Sequence, residues 1–218
     1  KGAALAGALA TSSMAAPDAQ AHNTPMEPHE HPGASHVVAP MEIPSLSGTT
    51  HEVELRNTGL NAGMSKDELA SFMGQLAHES WNFKHMEEQN PKNYANYEPN
   101  TPTGKRLGNT QKGDGERFKG RGYIQLTGRW NYGAASKALG VDLIKNPELA
   151  ADPKIASQIA LWYWNKRVRP NVSNWKDLKQ VTKNINPKLN GMQDRGAKTS
   201  EFADAFDRLE QHGYINFR

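Results

Sequence analysis

The sequence predicts a mostly helical α+β domain that follows an extended tail, and three patterns lead to this fold class. Ser65 and Glu68 have the spacing of the N-cap and N3 residues of a helix. The apolar residues after them recur at i, i+3, i+4 and i+7, as on one face of an amphipathic helix: Leu69, Phe72, Met73 and Leu76. Asp152 and Pro153 are typical of the start of another helix. Alternation over residues 123–127 predicts a short strand, so helices dominate over one or two short strand pairs.

The remaining elements follow in chain order. Prolines and glycines over residues 89–118 predict a long loop. Gly140 is placed to end a helix as its left-handed C-terminal residue. Trp162 and Trp164 are interpreted as packing residues of the helix that starts at Asp152, in preference to a sugar-binding platform. The predicted helices cover residues 66 to 78 or 79, 130–139, 152 to at least 163, 177–185 and 193–211.

Composition excludes some classes of function. The chain has 218 residues, no cysteine and a formal net charge of +3. Without cysteine there is no disulfide and no thiolate zinc site. A small surplus of positive charge suits an anionic polymer such as peptidoglycan. It is a weak basis for nucleic-acid binding, which is not predicted.

Residues 1–50 are predicted to be a low-complexity or extended segment, and residues 51–218 the folded domain. The Ala-rich start, residues 1–21, resembles a secretory signal peptide, and it is too short and too rich in small residues to span a membrane. A processed precursor end and a tail that docks on a virion or another protein are open alternatives. The segment of residues 1–50 and the residue just after it contain a group of five histidines: His22, His29, His31, His36 and His51. We interpret them as part of a polar tail, and no metal site is predicted.

Glu79 and Glu88 are the candidates for acid–base chemistry. Hydrolysis of a glycosidic bond needs an acid for the leaving oxygen and, in one mechanism, a carboxylate that activates water. Glu79 lies at the predicted C-terminal end of the first helix, where the helix dipole disfavours a carboxylate. Glu88 follows nine residues later, and the adjacent Glu87 is the alternative candidate for the second acid. On spacing alone, a pair of solvated surface charges explains Glu87 and Glu88 better than a catalytic role does.

Uncharged hydrogen-bonding side chains occur in residues 119–132, KGRGYIQLTGRWNY. On the predicted strand Gln125 and Thr127 face the same way, and Asn131 follows at the start of the next helix. Such side chains can hold a water molecule and the N-acetyl group of an amino sugar, and the glycines let a substrate approach the backbone. Tyr94 and Tyr97, in the predicted loop, are candidates for stacking on a sugar ring, with ordinary partly buried aromatics as an equal alternative.

The combination of HES, MEE, KGRGYIQLTGRWNY and VTKNIN resembles glycoside hydrolase family 19, which includes chitinases and phage or bacterial endolysins. The resemblance covers residues 55–209. It implies a two-lobed, lysozyme-like domain with a deep cleft and an inverting mechanism. It also implies that Glu79 is the general acid, that Glu88 activates water, and that Thr127 helps to place that water. The positions that match substrate-binding residues of the family are Gln125, Asn131 and Asn186.

Three residues, at two places in the chain, depart from the family pattern. Pro187 replaces the glycine that is usual after Asn186. Trp81 and Asn82 replace the small, Gly-rich pair that often follows the catalytic helix. The shape of this loop, and with it the arrangement of substrate subsites, is therefore expected to differ from that of the family.

These observations predict a cell-wall glycosidase that cleaves β-1,4 bonds of peptidoglycan, as an endolysin or a virion-associated lysin, without metal or organic cofactor. The absence of cysteine, the mild basicity and the spelling of the motifs favour peptidoglycan. The alternatives are a chitinase acting on β-1,4-linked N-acetylglucosamine polymers and a lysozyme-like subunit with a structural or docking role in a virion. The predicted location is secreted, periplasmic or attached to a phage virion.

Overall fold

Nine α-helices make up most of residues 49–217, the part of the chain that the computed structural model describes. They are α1 Thr50–Asn61, α2 Lys66–Glu79, α3 Pro91–Asn96, α4 Pro102–Arg106, α5 Asp114–Arg117, α6 Arg129–Leu139, α7 Pro153–Tyr163, α8 Leu178–Lys183 and α9 Met192–Gln211. Two 3₁₀ helices, Pro147–Ala151 and Arg169–Asn171, and a π-helical segment, Trp164–Val168, complete the order. The mostly helical fold class is confirmed. The predictions on residues 1–48, including four of the five histidines, lie outside the described residues.

Helix α2 begins and ends where the sequence predicts. Ser65 Oγ accepts the N–H of Glu68 at 3.3 Å, so Ser65 is the N-cap. The other half of the predicted capping box is missing, because the Glu68 carboxylate binds Trp164 Nε1 at 3.0 Å and Arg169 Nε at 2.7 Å. These two bonds connect the start of α2 to the π-helical segment and the 3₁₀ helix that follow α7.

Helix α1 was not predicted, although its start carries a complete capping box. Thr49 Oγ1 accepts the N–H of Glu52 at 3.3 Å, and the Glu52 carboxylate accepts the N–H of Thr49 at 2.8 Å. The Thr-x-x-Glu spacing was the available indication. The helix has only a weak amphipathic pattern, since Leu55, Arg56 and Gly59 are its buried residues.

The loop predicted over residues 89–118 is wrong in part, because it contains the three short helices α3, α4 and α5. Asn90 and Thr101 cap α3 and α4 through their side chains, and each is followed by a proline at the first helical position. An Asn-Pro or Thr-Pro pair is a helix start as well as a loop marker, since proline fits the first turn of a helix.

The strand predicted over residues 123–127 is also wrong. Gly122 and Gln125 have left-handed φ angles of 75° and 51°, so the segment forms a turn. Arg121 and Leu126 close this turn with reciprocal N–H···O bonds of 3.1 and 2.8 Å. Among residues 49–217 the only β structure is a pair of isolated antiparallel bridges, both made by Arg121.

The core forms where α2 packs along α9, with α1, α7 and α8 around this pair. All four apolar residues of the predicted α2 face are buried, as expected: Leu69, Phe72, Met73 and Leu76. Trp164 is 1% exposed, which confirms its packing role, whereas Trp162 is only partly buried. Within the described range, no helix combines the length and apolar character needed to cross a membrane.

A strained turn follows α2. Trp81, Asn82 and Phe83 have left-handed φ angles of 53°, 54° and 64°. For residues other than glycine this conformation costs roughly 1–2 kcal/mol each. The turn is held from both ends, because Phe83 is buried in the core and its N–H donates to Ser80 Oγ at 3.1 Å. It redirects the chain sharply after Glu79.

Candidate active site

Glu79 is the last residue of α2, and one of its carboxyl oxygens is fixed. Its side chain is 8% exposed and pairs through Oε1 with the guanidinium of Arg195 on α9. Arg195 is itself buried and donates to Gln75 Oε1 at 2.6 Å and to the carbonyl of Asn190 at 2.9 Å. Glu79 Oε2 has no hydrogen-bond partner among residues 49–217. The protein therefore orients this carboxyl group and leaves one oxygen available to a ligand.

A depression with about 540 Å³ of open space lies between α6, the end of α7 and the π-helical segment. It is lined by Trp130, Asn131, Ala134, Trp162, Tyr163, Lys166 and Arg167. Burial raises the pKa of the Tyr163 hydroxyl to about 12, with the charge of Arg167 acting to lower it and that of Glu79 to raise it. Tyr163, a lining residue of the depression, therefore lies within electrostatic range of Glu79.

Glu88 is bound by uncharged donors. Its Oε1 accepts Asn93 Nδ2 at 2.5 Å and the Tyr97 hydroxyl at 3.3 Å, and its Oε2 accepts the N–H of Gly120 at 3.2 Å. Burial, together with the charge of Glu88, raises the pKa of Tyr97 above its ordinary value. Tyr97 consequently keeps its proton and remains a donor to Glu88.

Glu87, the alternative candidate for the second acid, has a different environment. Lys119 Nζ lies 3.0 Å from its carboxylate, and Arg121 Nε lies 3.4 Å away. Burial acts to raise the pKa of Glu87, but the hydrogen bond from Lys119 and the two positive charges outweigh it and hold the pKa below its ordinary value. Glu87 is thus paired with cations, whereas the side chain of Glu88 accepts hydrogen bonds from neutral donors only, one of them the N–H of Gly120.

Gln125, Thr127 and Glu88 converge on Gly120. A Cβ atom at Gly120 would lie 2.7 Å from Gln125 Oε1, 3.3 Å from Thr127 Oγ1 and 3.4 Å from Glu88 Oε2. The alternation of a strand does not bring Gln125 and Thr127 together; the turn does, and Thr127 Oγ1 donates to the carbonyl of Gln125 at 2.8 Å. Three side-chain oxygens therefore surround a backbone that has no side chain of its own.

Asn131 and Asn186, two predicted substrate-binding residues, are both buried. Asn131 lies in the first turn of α6, lines the depression and donates from Nδ2 to the carbonyl of Thr127 at 2.7 Å. Asn186 lies after α8, two residues beyond Asn184, whose carbonyl accepts the Tyr163 hydroxyl at 3.1 Å. Asn131 thus links the Thr127 side of the site to the depression, and a substrate-binding role for Asn186 stays a prediction.

Tyr94 contacts the backbone of the site. Its hydroxyl donates to the carbonyl of Glu88 at 2.6 Å, and Lys119 Nζ lies 5.5 Å from the centroid of its ring. These contacts make Tyr94 a support for Glu88. Stacking of Tyr94 on a sugar ring stays a prediction.

Asn93 and Arg195 are residues of the site that were not predicted from the sequence, and Tyr97 was predicted only as a residue that stacks on a sugar. Asn93 and Tyr97 are four residues apart in and just after α3, so recognition of the Asn90–Pro91 helix start would have placed both on one face. Arg195 gave no local indication, because its partners Gln75 and Glu79 are more than a hundred positions away.

No group of three or more His, Cys, Asp or Glu side chains in residues 49–217 is arranged to hold a metal ion. His51, the only one of the five grouped histidines within this range, instead lies 2.9 Å from the Tyr123 hydroxyl through Nδ1. A helical domain that holds two glutamates in different environments, one of them beside uncharged hydrogen-bonding groups, has the groups expected of a glycoside hydrolase.

Comparison with known families identifies the chain as a member of glycoside hydrolase family 19. The family described as Chitinase class I matches residues 50–188, and the chain belongs to this family. An endochitinase of Arabidopsis thaliana is 39% identical over 111 residues, which cover 50% of this chain and 36% of the relative. Endochitinase 1 of Theobroma cacao is 34% identical over 123 residues, with the same coverage of both chains. The chain spans about a third of the length of these curated relatives.

Solved structures share the fold. Chitinase C from Streptomyces griseus HUT6037 superposes with a TM-score of 0.53 at 27% identity, covering 69% of this chain and 82% of that one. A class IV chitinase of family 19 from Zea mays superposes with a TM-score of 0.54, covering 72% and 80% of the two chains. At 23% identity the second likeness is one of fold alone.

Proposed function

We propose that the domain hydrolyses β-1,4 bonds in polymers of N-acetylglucosamine, with chitin as the first substrate. The observation that carries the proposal is the contrast between the two glutamates. Glu79 has one fixed and one available oxygen, and Glu88 is held by neutral donors next to Gln125 and Thr127.

In this mechanism Glu79 gives a proton from its available oxygen to the leaving glycosidic oxygen. Arg195 orients the carboxyl group through the other oxygen. Glu88 takes a proton from a water molecule, and that water attacks the anomeric carbon from the opposite face of the sugar, inverting its configuration. Thr127 Oγ1 donates to a backbone carbonyl and keeps lone pairs that can accept a hydrogen bond from this water.

Chitin is favoured over peptidoglycan, the polymer that the sequence analysis preferred. The curated relatives cited above are named endochitinases, and the solved structures are chitinases. None of these names supports a virion-associated lysin or a docking subunit. A substrate of this kind lies outside the cell, so the proposal includes export of the protein.

The test is incubation of the full chain with the hexamer of N-acetylglucosamine, with product anomers followed by NMR. We expect shorter oligomers whose new reducing end is first formed as the α anomer. Glu79→Gln should release no product, because an amide cannot supply the proton. Full activity of Glu79→Gln would refute the mechanism, and absence of hydrolysis by the unmodified chain would refute the substrate.

Peptidoglycan remains the second candidate because of two cations at the depression. Lys166 and Arg167 lie in the π-helical segment, and neither pairs with an acidic side chain among the described residues. They could receive the peptide carboxylates of peptidoglycan, which chitin lacks. Release of reducing ends from purified sacculi, lost in the double variant Lys166→Ala/Arg167→Ala while the hexamer is still cleaved, would favour this candidate.

A further inference from the structure

The strained turn after α2 displays an aromatic residue at the site. Trp81 is 61% exposed, the most exposed large hydrophobic residue of residues 49–217. It comes two positions after Glu79, and its left-handed φ of 53° is a conformation that glycine adopts far more readily than tryptophan. Neither the helix nor the core needs an indole at this position, because most of the side chain contacts nothing in the domain.

Contacts on both sides fix the turn. Asn82 Oδ1 accepts Lys198 Nζ from α9 at 2.7 Å, and Phe83 is buried. The carbonyl of Ser80 accepts the N–H of His85 at 3.0 Å. Strained backbone persists where the surrounding structure determines it, and it is frequent at ligand-binding sites. The conformation of Trp81 is thus imposed by its neighbours.

Trp81 is connected through His85 to Gln125, one of the side chains around Gly120. Its ring meets the His85 ring perpendicularly, with 5.4 Å between centroids. The carbonyl of His85 accepts Gln125 Nε2 at 3.2 Å, and Gln125 Oε1 is one of the oxygens gathered around Gly120. Contacts through His85 therefore connect the indole, two residues after Glu79, to Gln125.

We propose that Trp81, braced by His85, is a binding platform for one pyranose ring of the glycan, next to the bond that is cut. The C–H face of a pyranose is apolar, and an exposed indole face offers a large, rigid surface against which it can pack. This inference rests on the proposed function, since it assigns a glycan to the same site. It makes Trp81 a specificity-determining residue, while the reaction itself is left to Glu79 and Glu88.

Two substitutions separate binding from structure. Trp81→Gly removes the indole and also relieves the left-handed strain, so we expect weaker glycan binding together with an unchanged or higher melting temperature. Trp81→Tyr keeps an aromatic face and should retain most of the affinity. If Trp81 had only a structural role, Trp81→Gly would lower the melting temperature and leave the affinity for the glycan unchanged.

The measurement is calorimetric titration with the hexamer of N-acetylglucosamine in a Glu88→Gln background, in which hydrolysis is expected to be slower by about 10²-fold or more. Trp81→Gly should raise Kd about tenfold, the size expected for loss of one aromatic contact. The matched control is Tyr214→Ala. Tyr214 is 52% exposed and also lies beside a histidine, His212, at a ring separation of 6.2 Å, but it follows the far end of α9. Its loss should leave Kd unchanged.

The outcomes distinguish the two proposals. If the Glu88→Gln protein binds no hexamer at all, the proposed function fails and the platform fails with it. If it binds the hexamer and the Trp81→Gly substitution leaves Kd unchanged, the platform alone is refuted. An equal loss of affinity in the Tyr214→Ala control would also refute it, because the effect would then not belong to this site.

Discussion

At the scale of single residues, the chemistry of the site depends on partners rather than on residue type. Glu87 and Glu88 are adjacent and chemically identical, yet Lys119 and Arg121 hold one and neutral donors hold the other. A carboxylate that activates water must not be neutralised by a permanent cation. The neighbours of each glutamate therefore favour Glu88 over Glu87 as the second acid, an assignment that stays a proposal.

We expect Glu88→Gln to lower kcat on the hexamer by about 10²-fold or more, since a catalytic base contributes at least that much. Glu87→Gln is the matched control, because it makes the same change one residue away and removes an ion pair outside the proposed chemistry. Initial rates of the two variants at saturating substrate are the measurement. A larger loss in Glu87→Gln would reverse the assignment.

The buried carboxylate of Asp114 should make the stability of the domain depend on pH. Its side chain is 2% exposed and binds Arg129 at the start of α6 through both carboxylate oxygens, at 2.6 and 2.8 Å. Burial acts to raise the pKa of Asp114, but the hydrogen bonds from Arg129 and from the N–H groups of Gln111 and Thr110 hold it below its ordinary value. A lowered folded-state pKa gives stability that is present above the unfolded-state pKa, about 3.9, and is lost as pH falls through the folded value.

Asp114→Asn should accordingly reduce the free energy of unfolding at pH 7 by about 3 kcal/mol, because Arg129 would lose its charged partner. The difference from the unmodified chain should shrink as pH falls below about 4. Urea unfolding at pH 7, 5 and 3 measures this. Asp204→Asn, at an exposed position of α9 with no ion pair among the described residues, should have little effect at any of these values. A difference for Asp114→Asn that does not change with pH would contradict the argument.

At the scale of elements, the junction of α2 with α9 orients Glu79. Gly191 is the N-cap of α9, with a left-handed φ of 74°, and a Cβ atom there would lie 2.2 Å from Cε1 of His78. His78 Nδ1 in turn lies 2.6 Å from Asp194 on α9. This close approach sets the start of α9, and so the position from which Arg195 reaches Glu79.

Gly191→Ala should therefore lower both stability and kcat, because His78 must move and the start of α9 moves with it. Gly213 is the control, since its φ is 71° and a Cβ atom there would meet nothing within 4 Å. Gly213→Ala should cost only the left-handed strain, about 1–2 kcal/mol, and leave kcat unchanged. Thermal melts and hexamer hydrolysis compare the two, and equal effects on kcat would contradict a role for this junction.

At the scale of the whole molecule, the domain boundary can be placed by its first cap. The predicted start of the folded domain is residue 51, but the capping box of its first helix, α1, includes Thr49. Loss of such a cap costs about 1 kcal/mol. The folded domain is therefore expected to need residue 49.

We expect a fragment of residues 49–218 to melt cooperatively at the temperature of the full chain and to cleave the hexamer. A fragment of residues 51–218 should melt several degrees lower, since 1 kcal/mol shifts the melting temperature of a domain of this size by roughly 2–4 °C. Calorimetry of the three proteins is the measurement. A lower melting temperature for residues 49–218 than for the full chain would mean that the domain extends further toward the N-terminus.

Much of the fold followed from local rules. Ser65, Asp152 and Asp177 cap helices near the predicted starts, and Gly140 ends α6 in the left-handed conformation, as expected. These features depend on the backbone geometry of a few neighbouring residues. The predicted strand failed for a related reason, because alternation over five residues says nothing about the left-handed φ of Gln125.

By itself the sequence determined the helical class, the approximate bounds of α2, α6 and α9, and the residues from which a two-carboxylate site can be built. Only the tertiary structure decided how those residues are paired, with Glu79 held by Arg195, Glu87 by Lys119, and Glu88 by Asn93, Tyr97 and Gly120. Caps and periodicity act between residues a few positions apart, so they can be recognised along the chain. The electrostatic environment of a carboxylate depends on groups up to 116 positions away, and these become neighbours only when α9 packs on α2.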